Sequence, residues 1–105
     1  MAPSNRLESL MHMLAQDPSD AFCLYGVAQE HASAGRLDEA VAWFRKTIAA
    51  DPGHAYARFH LAKALERMED LDGAVAALRE GLQVARAAGD AKAANELAGY
   101  LDELT

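Results

Sequence analysis

The sequence predicts an all-α fold of antiparallel helix pairs stacked side by side, about six helices in all. Three observations carry that prediction. Residues 18 to 86 repeat on themselves with a shift of thirty-four: Ala28 returns as Ala62, Ala40 as Ala74, Phe44 as Leu78, and Leu37-Asp38 as Leu71-Asp72. A period of this length, with small and large apolar residues at fixed places, marks a stacked helix-turn-helix array. Within each segment the apolar residues fall at helical spacing, nothing alternates as a strand would, and β-branched residues are few. Proline or glycine punctuates the segments, with Asp17-Pro18 recurring as Asp51-Pro52.

The first helix carries Leu7, Leu10, Met11 and Leu14 on one face, with Ser4 or Asn5 as candidate N-cap and Pro18 as its stop. The second runs from Ser19 or Asp20 to Ala34 with Leu24, Val27, Ala28 and His31 in one stripe. Gly35 ends it by taking the left-handed conformation that helix C-termini favour. The third starts near Leu37-Asp38, buries Ala40, Val41, Phe44 and Ile48, and stops at Ala50 before Asp51-Pro52-Gly53. The fourth, from His54 or Ala55 to Met68, buries Leu61, Ala62 and Leu65. Asp70-Leu71-Asp72 makes the next turn, and the fifth helix carries Ala74, Val75, Leu78 and Leu82. No proline returns in the fifth helix, where Arg86 stands, so it runs on to Ala88 before Gly89-Asp90. A sixth, Ala91 to about Leu104, closes the chain with Leu97, Leu101 and Leu104. The matched alanines, 28 and 62 against 40 and 74, let antiparallel backbones approach closely.

Composition bounds the function. The 105 residues suffice for one domain, 51% of them hydrophobic and 25% charged, as in an ordinary soluble chain. The net charge of −6 and the lack of any basic run argue against a nucleic-acid partner, which needs clustered cations to displace counterions. The same acidity argues against an anionic membrane surface, and no apolar run reaches spanning length. The single cysteine, Cys23, falls in an apolar stripe and reads as a buried structural thiol. Leu7 to Ala15 is interrupted by Glu8, Ser9 and His12, unlike a secretory core, so a cytoplasmic location is expected.

These residues resemble the tetratricopeptide repeat (TPR) family. Residues 21–54 look like one copy of its pattern, with Leu24 in the aromatic slot, Val27-Ala28, His31, Ala40, Phe44 and Pro52. Residues 55–88 look like a second, with Leu61-Ala62, Leu65, Ala74 and Leu78. This copy departs at Arg58 in the aromatic slot, Glu69 where Gly35 stood, and Arg86 in place of proline. Residues 1–18 resemble the second helix of a degenerate earlier copy and 89–105 a capping helix, within a single domain 1–105. The resemblance implies a short right-handed superhelix that binds a peptide or helix of a partner protein in a concave groove, lined by the first helix of each pair.

On that face the first repeat carries Phe22, Tyr25, Gln29 and Ser33, and the second carries Tyr56, Phe59, His60, Lys63 and Arg67. Four aromatics there either contact a partner, as aromatics at hot spots do, or pack against neighbouring helices within the array. Some TPR proteins hold a C-terminal carboxylate with Lys, Asn and Arg in this groove. Here Tyr25 stands for a lysine, and Gln29 and His60 stand for asparagines, so that mode is not expected.

Nothing in the sequence points to an enzyme, a cofactor or a metal. No His-x-x-x-His or Glu-x-x-His pair exists, and His54 and His60, six apart, fall on different helix faces. His31 reads as a packing histidine in the family's tyrosine slot. Glu66, Glu69, Asp70 and Asp72 cluster at a turn but lack the alternating oxygens of a calcium loop, and read as capping acids. A second class of function remains open: self-association as a homodimer through the terminal helices, with Leu7, Leu10, Met11, Met13 and Leu14 as the candidate contact.

Overall fold

The computed structural model describes residues 5–105. They form six α-helices and, among the described residues, no strand. The elements are α1 (Asn5–Gln16), α2 (Ala21–Ser33), α3 (Leu37–Ala50), α4 (Ala55–Arg67), α5 (Leu71–Ala87) and α6 (Ala91–Leu104). Consecutive helices pack against one another as antiparallel neighbours, so the chain builds a short superhelical stack. No helix among the described residues is long and apolar enough to cross a membrane.

The repeat shows in the backbone hydrogen bonds as well as in the residue types. At the start of α2 the Asp20 carboxylate accepts from the Cys23 N–H at 3.2 Å, and at the start of α4 the His54 Nδ1 accepts from the Ala57 N–H at 3.1 Å. The preceding turns match too: Asp17 accepts from the Ser19 N–H, and Asp51 from the Gly53 N–H. Such side-chain acceptors satisfy N–H groups that the helix start leaves without a partner. Three helices end alike. The N–H groups of Arg36, Asp70 and Asp90 reach back to the carbonyls of His31, Leu65 and Ala85, with Gly35, Glu69 and Gly89 at positive φ between.

Two apolar clusters form the core. Leu10 and Leu14 of α1 join Cys23, Leu24 and Val27 of α2 in the smaller one. The larger runs from Ala28, Ala40 and Phe44 through Leu61, Ala62, Ala74 and Leu78 to Leu97 and Tyr100, and half-buried Trp43 packs against both. Ala28, Ala40, Ala62 and Ala74 are fully buried, as the close approach of paired backbones requires. His31 is a packing histidine, stacked on Trp43 with centroids 6.3 Å apart and accepting from Arg36 Nε at 2.9 Å.

Several expectations are corrected. Asn5 is already helical rather than a cap, and the alternative, Ser4, lies outside the described residues. Met11 does not join the apolar stripe of α1 but stands 43% exposed at its edge. Val41 and Ile48 are half-buried, while Thr47 of the same helix is fully buried. Its hydroxyl donates to the Trp43 carbonyl at 2.9 Å, so burial leaves no polar atom unsatisfied. Arg58 is also buried: its Nη1 donates to the Pro52 carbonyl at 2.7 Å, while its Nε has no hydrogen-bond partner. Of the expected capping acids, Asp70 does cap α5, accepting from the Gly73 N–H at 2.9 Å, whereas Glu66 instead accepts from the Tyr100 hydroxyl.

Candidate functional site

Helices α2, α4 and α6 lie side by side on one face, each packed firmly against its partner but only lightly against the next of the three. Between them two open clefts remain, one of about 330 Å³ between α2 and α4 and one of about 470 Å³ between α4 and α6. Lys63 borders both, so the two clefts adjoin along α4.

The residues expected at this face fall into three groups. Gln29, His60, Lys63 and Arg67 line the first cleft, together with Ser33, and Phe59 and Lys63 line the second. Tyr25 and Tyr56 are half-buried in the ring cluster beside the clefts. Phe22 is 69% exposed and lines neither cleft.

An aromatic line crosses all three helices. The Tyr25 ring lies 5.8 Å from His60, His60 lies 5.4 Å from Phe59, and Phe59 lies 5.4 Å from Tyr100. Phe44, buried beneath, stacks on His60 at 6.1 Å, and Tyr56 meets the Phe59 edge at 6.5 Å. Centroids at these separations and tilts suit the ring quadrupoles. The two histidines expected on different faces come together here, because His54 is a cap outside the helix and its ring lies 4.6 Å from Tyr25.

Charge is unevenly placed. Burial, then the nearby Lys63 and His54, holds His60 below its ordinary pKa of 6.5, so at neutral pH it is uncharged. Lys63 and Arg67 are therefore the charges of the first cleft. Arg67 Nη1 donates to the Ala32 carbonyl at 3.2 Å, a cation on the carbonyl end of α2. Lys63 Nζ stands 5.3 Å from the Phe59 centroid. The second cleft is lined by Glu66, Glu96 and Glu103. Tyr100 donates its hydroxyl to Glu66, and burial together with that bond raises the phenol pKa well above its usual value. Burial lifts Tyr25 to about 12. Both phenols stay protonated at any physiological pH.

The wall supplied by α6 was not read from the sequence. Asn95, Glu96, Gly99 and Glu103 face the second cleft at the places where α4 carries Phe59, His60, Lys63 and Arg67 thirty-six residues earlier. The signal that could have found them was Leu61 and Leu65 returning as Leu97 and Leu101. Among the described residues no group of three or more His, Cys, Asp or Glu could hold a metal ion.

The family described as anaphase-promoting complex, cyclosome, subunit 3 matches residues 6–81. The chain is 30% identical to the TPR repeat-containing protein PA0015 of Pseudomonas aeruginosa, over 93% of each protein. Among solved structures, a tetratricopeptide repeat domain protein from Salinibacter ruber is similar with a TM-score of 0.78 at 33% identity. The likeness covers 84% of this chain and 89% of that one. PcrH, solved in complex with the chaperone binding region of PopD, shares the fold with a TM-score of 0.87 at 20% identity, over 93% of this chain and 74% of its own.

Proposed function

Since the chain belongs to the tetratricopeptide repeat family, we propose that it is a scaffold that binds an extended peptide or a helix of a partner protein in the groove formed by α2, α4 and α6. The role is binding rather than catalysis. The observation that carries this reading is the pair of clefts that meet at Lys63, floored by aromatic rings and edged by charged side chains. A rigid face with half-buried rings offers contact area at low entropic cost. The PcrH complex supports the reading, since that protein of the same fold is seen with the chaperone binding region of PopD. Gln29, His60, Lys63 and Arg67 form the first subsite and Phe59 the border of the second. Tyr25 and Tyr56 support the rings, and Phe22 stands outside both subsites. We read the compartment as cytoplasmic, in keeping with one buried thiol that has no internal partner.

Photo-crosslinking tests the groove directly. A photoreactive residue at Gln29 or Lys63 is expected to capture a partner in cells, and one at the exposed Arg45 or Arg79 to capture none. Adducts from Arg45 or Arg79 alone would move the binding face elsewhere.

Self-association is the second reading, favoured by Met11 and Met13, which stand 43% and 47% exposed on α1. Leu10 and Leu14 are already buried against α2, so of the expected contact residues the two methionines are the exposed ones. Light scattering across a wide concentration range decides it: a mass that doubles supports the dimer, and a constant monomer mass removes it.

A further inference from the structure

The two halves of the groove carry opposite charge, and that pattern defines the partner. The α2–α4 cleft is lined by the cations Lys63 and Arg67 and by no carboxylate. The α4–α6 cleft is lined by Glu66, Glu96 and Glu103, with Lys63 as the only cation at its border. These charges do not neutralise one another. Among the described residues the ion pairs are Arg6–Glu30, Arg36–Glu39 and Arg58–Glu80, and none involves the groove charges. Lys63 lies over the Phe59 ring, although Glu66 follows it by one helical turn.

Resting on the groove reading above, we propose that the occupant is an extended segment of a partner protein with its charges segregated, acidic side chains over α2–α4 and basic side chains over α4–α6. Neighbouring helices lie about 10 Å apart and an extended chain advances about 3.3 Å per residue, so the two blocks stand roughly three residues apart. The residues between them cross Phe59 and His60, where flat or apolar side chains fit. A uniformly acidic segment meets three carboxylates in the second cleft, and a uniformly basic one meets Lys63 and Arg67 in the first. Like charge in either half repels, so the pattern rejects partners as well as selecting one.

Four labelled synthetic peptides of equal length and identical apolar residues test this by fluorescence anisotropy at low salt: acidic block then basic block, all acidic, all basic, and uncharged. The segregated peptide is expected to bind about tenfold more tightly than any other, the scale of a few exposed charge pairs acting together. The doubly substituted protein Glu96→Lys, Glu103→Lys is expected to lose that advantage and to prefer the all-acidic peptide. Both glutamates are exposed, so the variant keeps its core, which circular dichroism checks. Equal binding of all four peptides overturns the charge assignment while leaving a groove that binds. Absence of binding by every peptide overturns it too, and the crosslinking positions then decide the groove separately.

Discussion

Glu69 holds the left-handed backbone position, at φ +63, that Gly35 holds at φ +79 one repeat earlier. Both close the same helix ending, with the Asp70 N–H on the Leu65 carbonyl at 2.8 Å and the Arg36 N–H on the His31 carbonyl at 2.9 Å. The local fold thus imposes on a glutamate a conformation that suits glycine.

Replacing Glu69 with glycine is expected to raise stability by about 1 kcal/mol, because the left-handed region costs a side chain about 1–2 kcal/mol and glycine returns part of that in entropy. The reverse change, Gly35→Ala, is expected to cost about 1 kcal/mol, the backbone strain less the entropy that losing glycine returns. An added Cβ at Gly35 meets nothing within 4 Å, so no clash confuses the result. Urea denaturation midpoints measure both. A destabilised Glu69→Gly protein would contradict the strain.

Ala40 and Ala74 are fully buried at the crossings of α3 on α2 and α5 on α4. Leucine at either place overpacks the crossing and is expected to cost about 1–3 kcal/mol. Thermal melting of each variant checks this, and a neutral result at both would break the pairing of small residues.

Stability is expected to fall as acid charges His60. Its folded pKa is depressed by burial, by Lys63 and by His54, so below 6.5 the unfolded chain binds more protons than the folded one. The loss therefore starts as pH drops through 6.5 and levels off once the folded pKa is passed. Tyr25 from α2, Phe44 from α3 and Lys63 from α4 are the groups around it. Denaturation midpoints between pH 7.5 and 4 (a range of roughly this width suffices) should slope less in His60→Gln than in the parent. Identical slopes would place the acid sensitivity on other groups.

Much of the fold was legible because its punctuation is chemical. Asp17-Pro18, Gly35, Asp51-Pro52 and Gly89-Asp90 stop or cap helices for local reasons, so the boundaries of α3 and α6 fell where expected. What stayed hidden depended on tertiary contact. Arg58 stands where the repeat pattern has an aromatic, and it is tertiary contact that buries it: its stem lies against Gly81 of α5, close enough for an added Cβ to stand 3.2 Å from its own, and its head reaches Pro52. Thr47 reads as polar, yet its hydroxyl is satisfied four residues back. Met11 has helical spacing with Leu7 and Leu14 but sits at the edge of the α1–α2 contact.

The groove was half legible. The faces of α2 and α4 could be matched through the thirty-four-residue period. The α6 wall could not, because α5 has 17 residues where α3 has 14, which shifts the register to thirty-six. The acidic half of the site lies on that unread wall, so the opposition of charge across the groove emerged only from the structure.

The most direct test of the groove is amide chemical-shift mapping of the labelled protein titrated with the charge-segregated peptide. The shifts are expected to fall on Gln29, Ser33, Lys63, Asn95 and Gly99, on the three helices that line the clefts. Shifts confined to Met11, Met13 and the Trp43 indole would put the ligand on α1 and α3 and contradict a binding site on α2, α4 and α6.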